Sequence, residues 1–532
     1  MDILTTVSTK RTDQSEQADP RQVRNNAGGF TFEVTPLTRL RRFLILGTDG
    51  GTYYTSAREL TKDNAAVVLD FARNDTEALV REVVAISQAG RAPKNNQALF
   101  ALAAAASLGD DDGRRFALDA LPEVARIGTH LFLFATYIEQ FRGWGRGLRR
   151  AVGNWYLGKP VDTVAFQALK YRQREGWSHR DLLRLAHPIT DDVARVGVFD
   201  YITHGNTDNV PRIVSGFEKA QAKPHKTAKY VTKYGLSWEM LPDESLNDPT
   251  VWEALLDRGI PATALMRQLP RLTKLGLLPQ MGGRTAEVAA LLSDPERLKK
   301  GRVHPLNVLV AQRTYASGHA ARGDSTWTPS RPIVDALDAA FYAAFGSVEP
   351  SGKRHLLGLD VSGSMTAPIS GMPITCREAS AALALVTAAT ESEYMTVGFT
   401  SGSSTAWDYS PALVELPISP RQRMDDVLRT VSNVPFGRTD CALPIRWALQ
   451  TKTEVDVFSI YTDNETWAGS VHPHQALAQY RREVNPAAKM VVVGMTSTGF
   501  SIADPSDAGM LDVVGFDSAT PQLLSGFARG DI

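Results

Sequence analysis

The chain has 532 residues, more than one hydrophobic core ordinarily serves, so we expect at least two domains. Its 58 basic and 58 acidic side chains balance overall, but residues 346–532 hold 13 basic and 20 acidic ones. The C-terminal third therefore has a net charge of −7, which suits a bound cation. The remainder has a net charge of +7, which suits an anionic partner. Two cysteines exclude a disulfide framework, and no apolar run is long enough to span a membrane.

The N-terminus lacks the apolar core of a signal peptide, and the polar residues 1–25 predict a mobile segment. With the reduced cysteines, this predicts a cytoplasmic protein without a membrane partner. From about residue 57 to 345 nearly every segment has helical periodicity. Helices are predicted from Asp75 to near Gly90, over Asn95–Leu108 and over Arg114–Ile127. Their regular succession favours a helical solenoid, and a compact all-α bundle is the alternative.

A turn-rich linker, Val348–Lys353, leads into a segment where strand and helix patterns alternate. Apolar runs predict strands over His355–Val361, Met395–Thr400, Val455–Thr462, Lys489–Met495 and Leu511–Phe516. Helices are predicted between them, and a final one near Thr520–Arg529. The fold class is therefore multidomain: an all-α helical-repeat domain over residues 26–347 and a doubly wound α/β domain over residues 348–532.

Five oxygen-bearing residues mark the carboxyl edge of the predicted sheet, where ligands bind in open α/β folds. Asp360 ends the first strand, Ser362 and Ser364 follow, and two later loops supply Thr439 and Asp463. This pattern resembles that of von Willebrand factor A domains, which implies a Mg²⁺ or Mn²⁺ site held by all five residues, some through water. Magnesium suits the set because it prefers six oxygen ligands and retains water. An open coordination position would accept a carboxylate from an acidic protein ligand.

Two other interpretations compete with the metal site. A polar turn after a strand would explain Ser362 and Ser364 alone, but not the matching positions of Thr439 and Asp463. Phosphoryl transfer with Asp360 as nucleophile would need a second aspartate two residues on, where the chain has Ser362. Catalysis is therefore disfavoured, and we expect no enzymatic activity.

A second candidate site is the basic segment LKYRQREGWSHRDLLRLAHP, residues 169–188. Its spacing predicts Lys170 and Arg174 on one helix face, and Arg180 and Arg184 on another after a break. A cluster of lysines, Lys223, Lys226, Lys229 and Lys233, follows beside Tyr230 and Tyr234. Cations interleaved with aromatic rings are typical of single-stranded nucleic-acid binding. Basic helix faces are also a common solvated surface, so the residues alone leave both interpretations open.

Five segments together resemble the Ro ribonucleoprotein autoantigen family, and the resemblance covers about residues 22–532. They are AGGFTFEV, RLRRFLILGTDGGTYY, RGWGRGLRRAVGNWY, LKYRQREGWSHRDLLRLAHP and YTDNETWAG. The resemblance suggests a bacterial member of the family. It implies a ring of HEAT-like repeats, the TROVE module, closed by contact with a von Willebrand factor A domain that carries the metal-dependent adhesion site.

The same resemblance implies a role in RNA quality control. Y RNA would bind the outer surface, and single-stranded 3′ ends of misfolded or partly degraded RNA would enter a basic central hole. Y RNA would also tether the ring to the exonuclease polynucleotide phosphorylase, with effects on ribosomal RNA maturation and survival of ultraviolet and other stress. Lys170, Arg174 and His187 match family residues implicated in RNA binding, and Arg172, Arg180 and Arg184 are included by extrapolation.

Two of these implications have alternatives. His187 taken alone is typical of a buried or capping histidine, and the outer surface is trimmed relative to the longer animal relatives, so Y RNA contacts there can differ. The alternative function is a metal-dependent protein-adhesion scaffold without direct RNA binding. Purification without co-eluting RNA would favour that alternative.

Overall fold

A computed structural model describes residues 11–48, 55–320, 323–346, 348–401, 403–405, 408–410, 412–420, 422–434 and 437–531. The helices of the first part are α1 (Pro36–Leu46), α2 (Ala57–Asn74), α3 (Thr76–Ala89), α4 (Asn96–Leu108), α5 (Asp111–Asp119), α6 (Leu121–Val124), α7 (Gly128–Glu139), α8 (Arg146–Leu157), α9 (Val161–Lys170), α10 (His179–Ala186), α11 (Val193–His204), α12 (Arg212–Ala222), α13 (Thr227–Tyr234), α14 (Pro249–Arg258), α15 (Ala262–Lys274), α16 (Thr285–Ser293), α17 (Pro295–Lys300), α18 (Pro305–Ser317) and α19 (Arg331–Ala343). None of the helices in these ranges is long and apolar enough to cross a membrane.

Local signals account for the helix ends. The Asp75 side chain accepts a hydrogen bond from the Ala78 N–H at the start of α3, and Gly90 ends it in the left-handed conformation at φ +69°. The single helix predicted over Arg114–Ile127 is instead two helices, α5 and α6. Pro122 lies in the first turn of α6, where it has no N–H to continue α5 and favours a new helix start.

The helical path returns to its own beginning. Each helix packs mainly against near neighbours in the chain, from α3 on α4 to α18 on α19. The segment after α17 then contacts the end of α3: Arg302 Nε donates to the Gln88 carbonyl at 2.6 Å, and His304 Nε2 lies 2.9 Å from the Arg91 carbonyl. Asn307 Nδ2 donates to the Pro93 carbonyl at 3.2 Å. The helical part is therefore a closed path.

The second part is the doubly wound α/β domain predicted from the sequence. Its elements are β5 (His355–Asp360), α20 (Cys376–Thr390), β6 (Tyr394–Phe399), β7 (Ser403–Thr405), β8 (Asp408–Ser410), β9 (Leu413–Glu415), α21 (Met424–Ser432), α22 (Leu443–Thr451), β10 (Val457–Thr462), α23 (Pro473–Glu483), β11 (Lys489–Gly494), β12 (Phe500–Ser501), β13 (Met510–Val514) and α24 (Thr520–Arg529). The strand order in the main sheet is β13-β11-β10-β5-β6-β9, parallel except for the edge strand β9. The direction of winding changes between β5 and β10, which is the ligand-binding position in such sheets.

Helices cover both faces of this sheet. Alternate residues of β5 point to opposite faces: Leu357 and Leu359 join the core that contains α20, and Leu356 joins the core beneath α22 and α23. The α20 face also belongs to the same buried cluster as the helical part. The α/β domain therefore docks on the helices through this face.

The N-terminal residues differ from the predicted mobile segment over residues 1–25. Two short strands, β1 (Gln22–Arg24) and β2 (Phe30–Glu33), pair with each other, and β2 pairs with β12 of the α/β domain. Gln14 and Gln22 are almost fully buried there. Residues 11–25 are thus fixed on the α/β domain, because their polar groups find partners there, and residues 1–10 lie outside the described residues.

A buried guanidinium joins the two domains. The Arg42 side chain in α1 is fully buried and donates to both carboxylate oxygens of Asp512 in β13 at 2.6 and 2.7 Å. It also donates to the carbonyls of Thr498 and Phe500 at 2.8 and 2.9 Å. Removing one partner of a buried, hydrogen-bonded charge leaves the other unpaired, which is strongly destabilising.

Substituting Arg42→Met is expected to lower the free energy of unfolding by about 3–5 kcal/mol, because Asp512 and two carbonyls lose their donors. The neighbouring Arg41→Met is the matched control. Arg41 makes a more exposed ion pair with Glu82, so its loss should cost about 1 kcal/mol or less. Urea unfolding measures both, and equal losses would contradict the role given to Arg42.

Candidate functional site

The five predicted metal ligands lie at the carboxyl edge of the sheet and are almost fully buried. Asp360 ends β5, and Asp463 directly follows the neighbouring strand β10. Thr439 lies in the loop before α22, where its carbonyl accepts from the N–H groups of Trp467 and Ala468 at 3.2 and 3.0 Å. Each of the five predicted ligands is at most 2% exposed. The switch point of the sheet therefore holds an enclosed cluster of oxygen atoms.

Hydrogen bonds fix the orientation of Asp360. Its Oδ1 accepts from the Ser362 N–H at 2.9 Å, and its Oδ2 accepts from the Thr462 hydroxyl at 2.8 Å. The hydroxyl oxygens of Ser362 and Ser364 lie 3.0 Å apart. Thr462 was not predicted as part of the site. Its position as the last residue of the strand beside Asp360 could have indicated it.

Two oxygens of the cluster have no hydrogen-bond partner among the described residues: Thr439 Oγ1 and Asp463 Oδ2. The other oxygen of Asp463 accepts from the Glu465 N–H at 3.0 Å. Buried polar atoms are normally paired, so each orphan atom calls for an explanation. Burial, and then the nearby Asp360 carboxylate, raise the pKa of Asp463 well above its ordinary value. Two carboxyl groups, two hydroxyls and an orphan threonine oxygen fit a hard divalent cation.

A cationic side chain of the protein borders this cluster. Arg377 in α20 is buried and donates to the carbonyls of Val361 and Ser362. Burial lowers the pKa of Arg377, and the Asp360 carboxylate counters that effect. Arg377 was not predicted from the sequence, where it is an ordinary helix residue.

The basic segment is arranged differently from the prediction. Lys170 is the last residue of α9, whereas Arg174 lies on β3 (Gln173–Arg174) of a hairpin with β4 (Trp177–Ser178). The hairpin turns at Glu175 and Gly176, both with positive φ, as a two-residue loop requires. The prediction that Lys170 and Arg174 share a helix face is therefore wrong.

The two residues also differ in accessibility. Lys170 Nζ lies 3.2 Å from Glu239 Oε1 and 5.1 Å from the centre of the Tyr171 ring, with the side chain only 11% exposed. Arg174 is 63% exposed, and its Nε lies 3.5 Å from Glu175 Oε1. Arg172 is exposed too, with its guanidinium over the Phe217 ring. Lys170 is thus partly neutralised, while the arginines face solvent.

Helix α10 carries the predicted pair Arg180 and Arg184 on one face. A capping box between Ser178 and Asp181 starts the helix, and His187 ends it at φ +45°. The side chain of His187 is exposed. Of the two roles considered for this histidine, buried or capping, it therefore has the capping role. Both arginines are exposed, and among the described residues neither has a carboxylate within ion-pair distance. Within the described ranges both guanidinium groups are therefore free of ion pairs, although carboxylates line the surface depression beside Arg184.

The lysine cluster is also exposed, but its aromatic residues are not free stacking surfaces. Tyr230 is buried, and the hydroxyl of Tyr234 accepts from Lys219 Nζ at 3.1 Å. This hydrogen bond lowers the pKa of Tyr234. Trp177 packs against Trp144 with ring centres 5.5 Å apart, so it belongs to the fold. Lys219 was not predicted, although it precedes Lys223 by one helical turn.

Comparison with known proteins shows which family the chain belongs to. The family model of the TROVE domain matches residues 23–233 and 229–314, and that of the Ro60 vWA domain matches residues 354–528. Over 98% of its length the chain is 43% identical to the RNA-binding protein RO60 of Deinococcus radiodurans, of which it covers 97%. The chain belongs to the Ro60 family.

Two further relatives agree with this assignment. The RNA-binding protein RO60 of Caenorhabditis elegans is 37% identical over 98% of this chain and 92% of its own length. The crystal structure of the Deinococcus radiodurans RO (RSR) protein has a TM-score of 0.69 and 41% identity, covering 94% of this chain and all of that one. The family resemblance and the two-part fold class predicted from the sequence are thereby confirmed.

The unpaired hydroxyl of Thr439 predicts how two substitutions change the stability of the metal-free protein. Thr439→Val should leave the free energy of unfolding unchanged or higher, because it removes a buried hydroxyl without a partner. Thr462→Val is the matched substitution and should lower it by about 1–3 kcal/mol, because Asp360 loses a donor. Thermal unfolding in the presence of a chelator measures both, and a large loss for Thr439→Val would contradict the assignment.

Proposed function

We propose that this chain is an RNA-binding ring protein of RNA quality control. The observation that carries the proposal is the exposed face with Arg180 and Arg184, whose charges have no carboxylate partner among the described residues. The chain that carries this face is 43% identical to a relative named as an RNA-binding protein. Guanidinium groups bind phosphates bidentately, so such a face suits an RNA backbone.

The proposed mechanism is selection by shape and charge. Positive side chains attract phosphates from a distance, and a hole through the closed helical path would admit a single strand but reject a duplex. Misfolded or partly degraded RNA with a free 3′ end would therefore be held, whatever its sequence. No bond is made or broken in this scheme, so the proposal includes no enzymatic activity.

The wider role rests on family membership. We propose that Y RNA binds the outer surface and tethers the ring to polynucleotide phosphorylase, and that Lys170, Arg174 and His187, with Arg172 by extrapolation, contact RNA. RNA decay, ribosomal RNA maturation and stress survival would follow from that assembly. The cytoplasm is the proposed location, since Cys376 and Cys441 are free thiols.

We also propose a divalent cation, Mg²⁺ or Mn²⁺, at the carboxyl edge of the sheet. Asp360, Ser362, Ser364, Thr439 and Asp463 would hold it, directly or through water. A bound cation would neutralise the two carboxylates and pair the orphan oxygens of Thr439 and Asp463. An acidic protein ligand could reach the cation only after the covering loops moved, because the five residues are at most 2% exposed. The enclosure favours a stabilising role for the metal over an adhesive one.

The double substitution Arg180→Gln and Arg184→Gln should weaken binding of single-stranded RNA. The slope of log affinity against log salt should become shallower by about 0.7 for each phosphate that is no longer neutralised. Arg429→Gln is the control: it also removes one exposed arginine charge, but from α21, where Asp426 already pairs with it. A salt titration of fluorescence anisotropy measures the slopes, and an unchanged slope in the double variant would refute the assignment.

Excess Mn²⁺ should raise the thermal midpoint of the wild-type chain. At 100 times its dissociation constant, a ligand stabilises by about 2.7 kcal/mol. Asp463→Asn should abolish this response, whereas Asp456→Asn should keep it, because Asp456 pairs with Arg354 at the opposite end of the sheet. Differential scanning fluorimetry provides the comparison, and an intact response in Asp463→Asn would exclude this site.

A further inference from the structure

We propose that residues 12–29, the N-terminal strap, complete the metal site by holding the loop 463–469, so that strap docking and metal binding reinforce each other. The inference rests on the metal site proposed above. It assigns a positioning role to residues distant in sequence from all five ligands.

Gln14 is fully buried and makes more hydrogen bonds to the α/β domain than its neighbours in the strap. Its Nε2 donates to Asp440 Oδ1 at 2.8 Å and to the Val471 carbonyl at 2.7 Å. Its Oε1 accepts from the Thr466 hydroxyl and from the Gly469 N–H. All four hydrogen-bonding positions of the amide are used. One side chain therefore fixes both the loop and the residue that follows Thr439.

Two asparagines hold the other half of the loop. Asn25 Nδ2 donates to the Thr466 carbonyl at 2.8 Å. Asn26 Nδ2 donates to Glu465 Oε1 at 2.7 Å, and the Ala27 N–H donates to Glu465 Oε2 at 2.9 Å. Both carboxylate oxygens of Glu465 are thus occupied by the strap.

The strap and the loop are in direct van der Waals contact. A Cβ on Gly29 would overlap the Thr466 carbonyl oxygen, and a Cβ on Gly469 would overlap the side chains of Gln14 and Asp440. Only glycine permits this approach at either position. The strap and the loop therefore touch closely at both positions.

The link to the metal passes through Glu465. Its N–H donates to Asp463 Oδ1, so the backbone at Glu465 determines which oxygen of Asp463 is left for the cation. The strap fixes that backbone through the Glu465 side chain. Coupling between two binding events is reciprocal, so metal binding must strengthen strap docking by the same factor.

Mn²⁺ affinity of the full-length protein tests the proposal, measured by isothermal titration. Gln14→Ala and Asn26→Ala should each weaken Mn²⁺ binding, Gln14→Ala by about tenfold or more. Arg24→Ala is the matched control within the strap, because the exposed Arg24 side chain donates to the Gly28 carbonyl of the strap itself, at 3.3 Å, and not to the loop. Its Mn²⁺ affinity should equal that of the wild type.

Hydrogen exchange gives a second readout, which leaves the strap sequence unchanged. In the wild type, Mn²⁺ should slow exchange of strap amides such as Ala27, and Asp463→Asn should remove the effect. If the wild type binds no Mn²⁺, the proposed metal site itself fails. If the wild type binds Mn²⁺ but Gln14→Ala and Asn26→Ala bind it equally well and the strap exchanges unchanged, only the coupling is overturned.

Discussion

The pairing of Arg42 with Asp512 is the interaction on which the arrangement of the two domains depends. A charge at this depth is tolerated only when its partners are in place, so α1 must dock where β13 and the carbonyls before it supply them. The start of the helical path is thereby held at one edge of the sheet. Further ion pairs reach the α/β domain, among them Arg91–Asp517 from the end of α3 and Arg313–Glu378 from α18. Both ends of the closed path therefore share one docking partner.

The same docking arrangement separates two kinds of charge. The cluster at the switch point brings two buried carboxyl groups together, and this is where we propose a small cation. The α10 face presents guanidinium groups to solvent, where they are matched to an extended anion. The net charges of −7 and +7 in the two parts of the sequence reflect this division. Binding at one site therefore need not disturb the electrostatics of the other.

Sequence patterns predicted the five parallel strands and the helices of the α/β domain because each buried strand is a short apolar run between turns, but they missed the short strands β7, β8, β9 and β12. They also located Asp360 and Asp463 at one edge, since topology alone brings the ends of parallel strands together. The Lys170–Arg174 pairing failed for a local reason: α9 ends at Lys170, because the next residue, Tyr171, leaves the helical conformation at φ −116° and ψ 68°. The strap was wrongly predicted to be mobile because its hydrogen-bond partners lie far along the chain. Local periodicity carries no information about such distant contacts.

The position of the strap has a consequence for how the chain folds. Gln14 and Thr466 are 452 positions apart, so residues synthesised early pack against residues synthesised late. Helices of the first part can form from local interactions during synthesis, but the strap and α1 must wait for β10 to β13. A chain that stops before residue 512 leaves Arg42 without its carboxylate and the strap without the loop. Completion of the C-terminus is thus the step that closes the molecule.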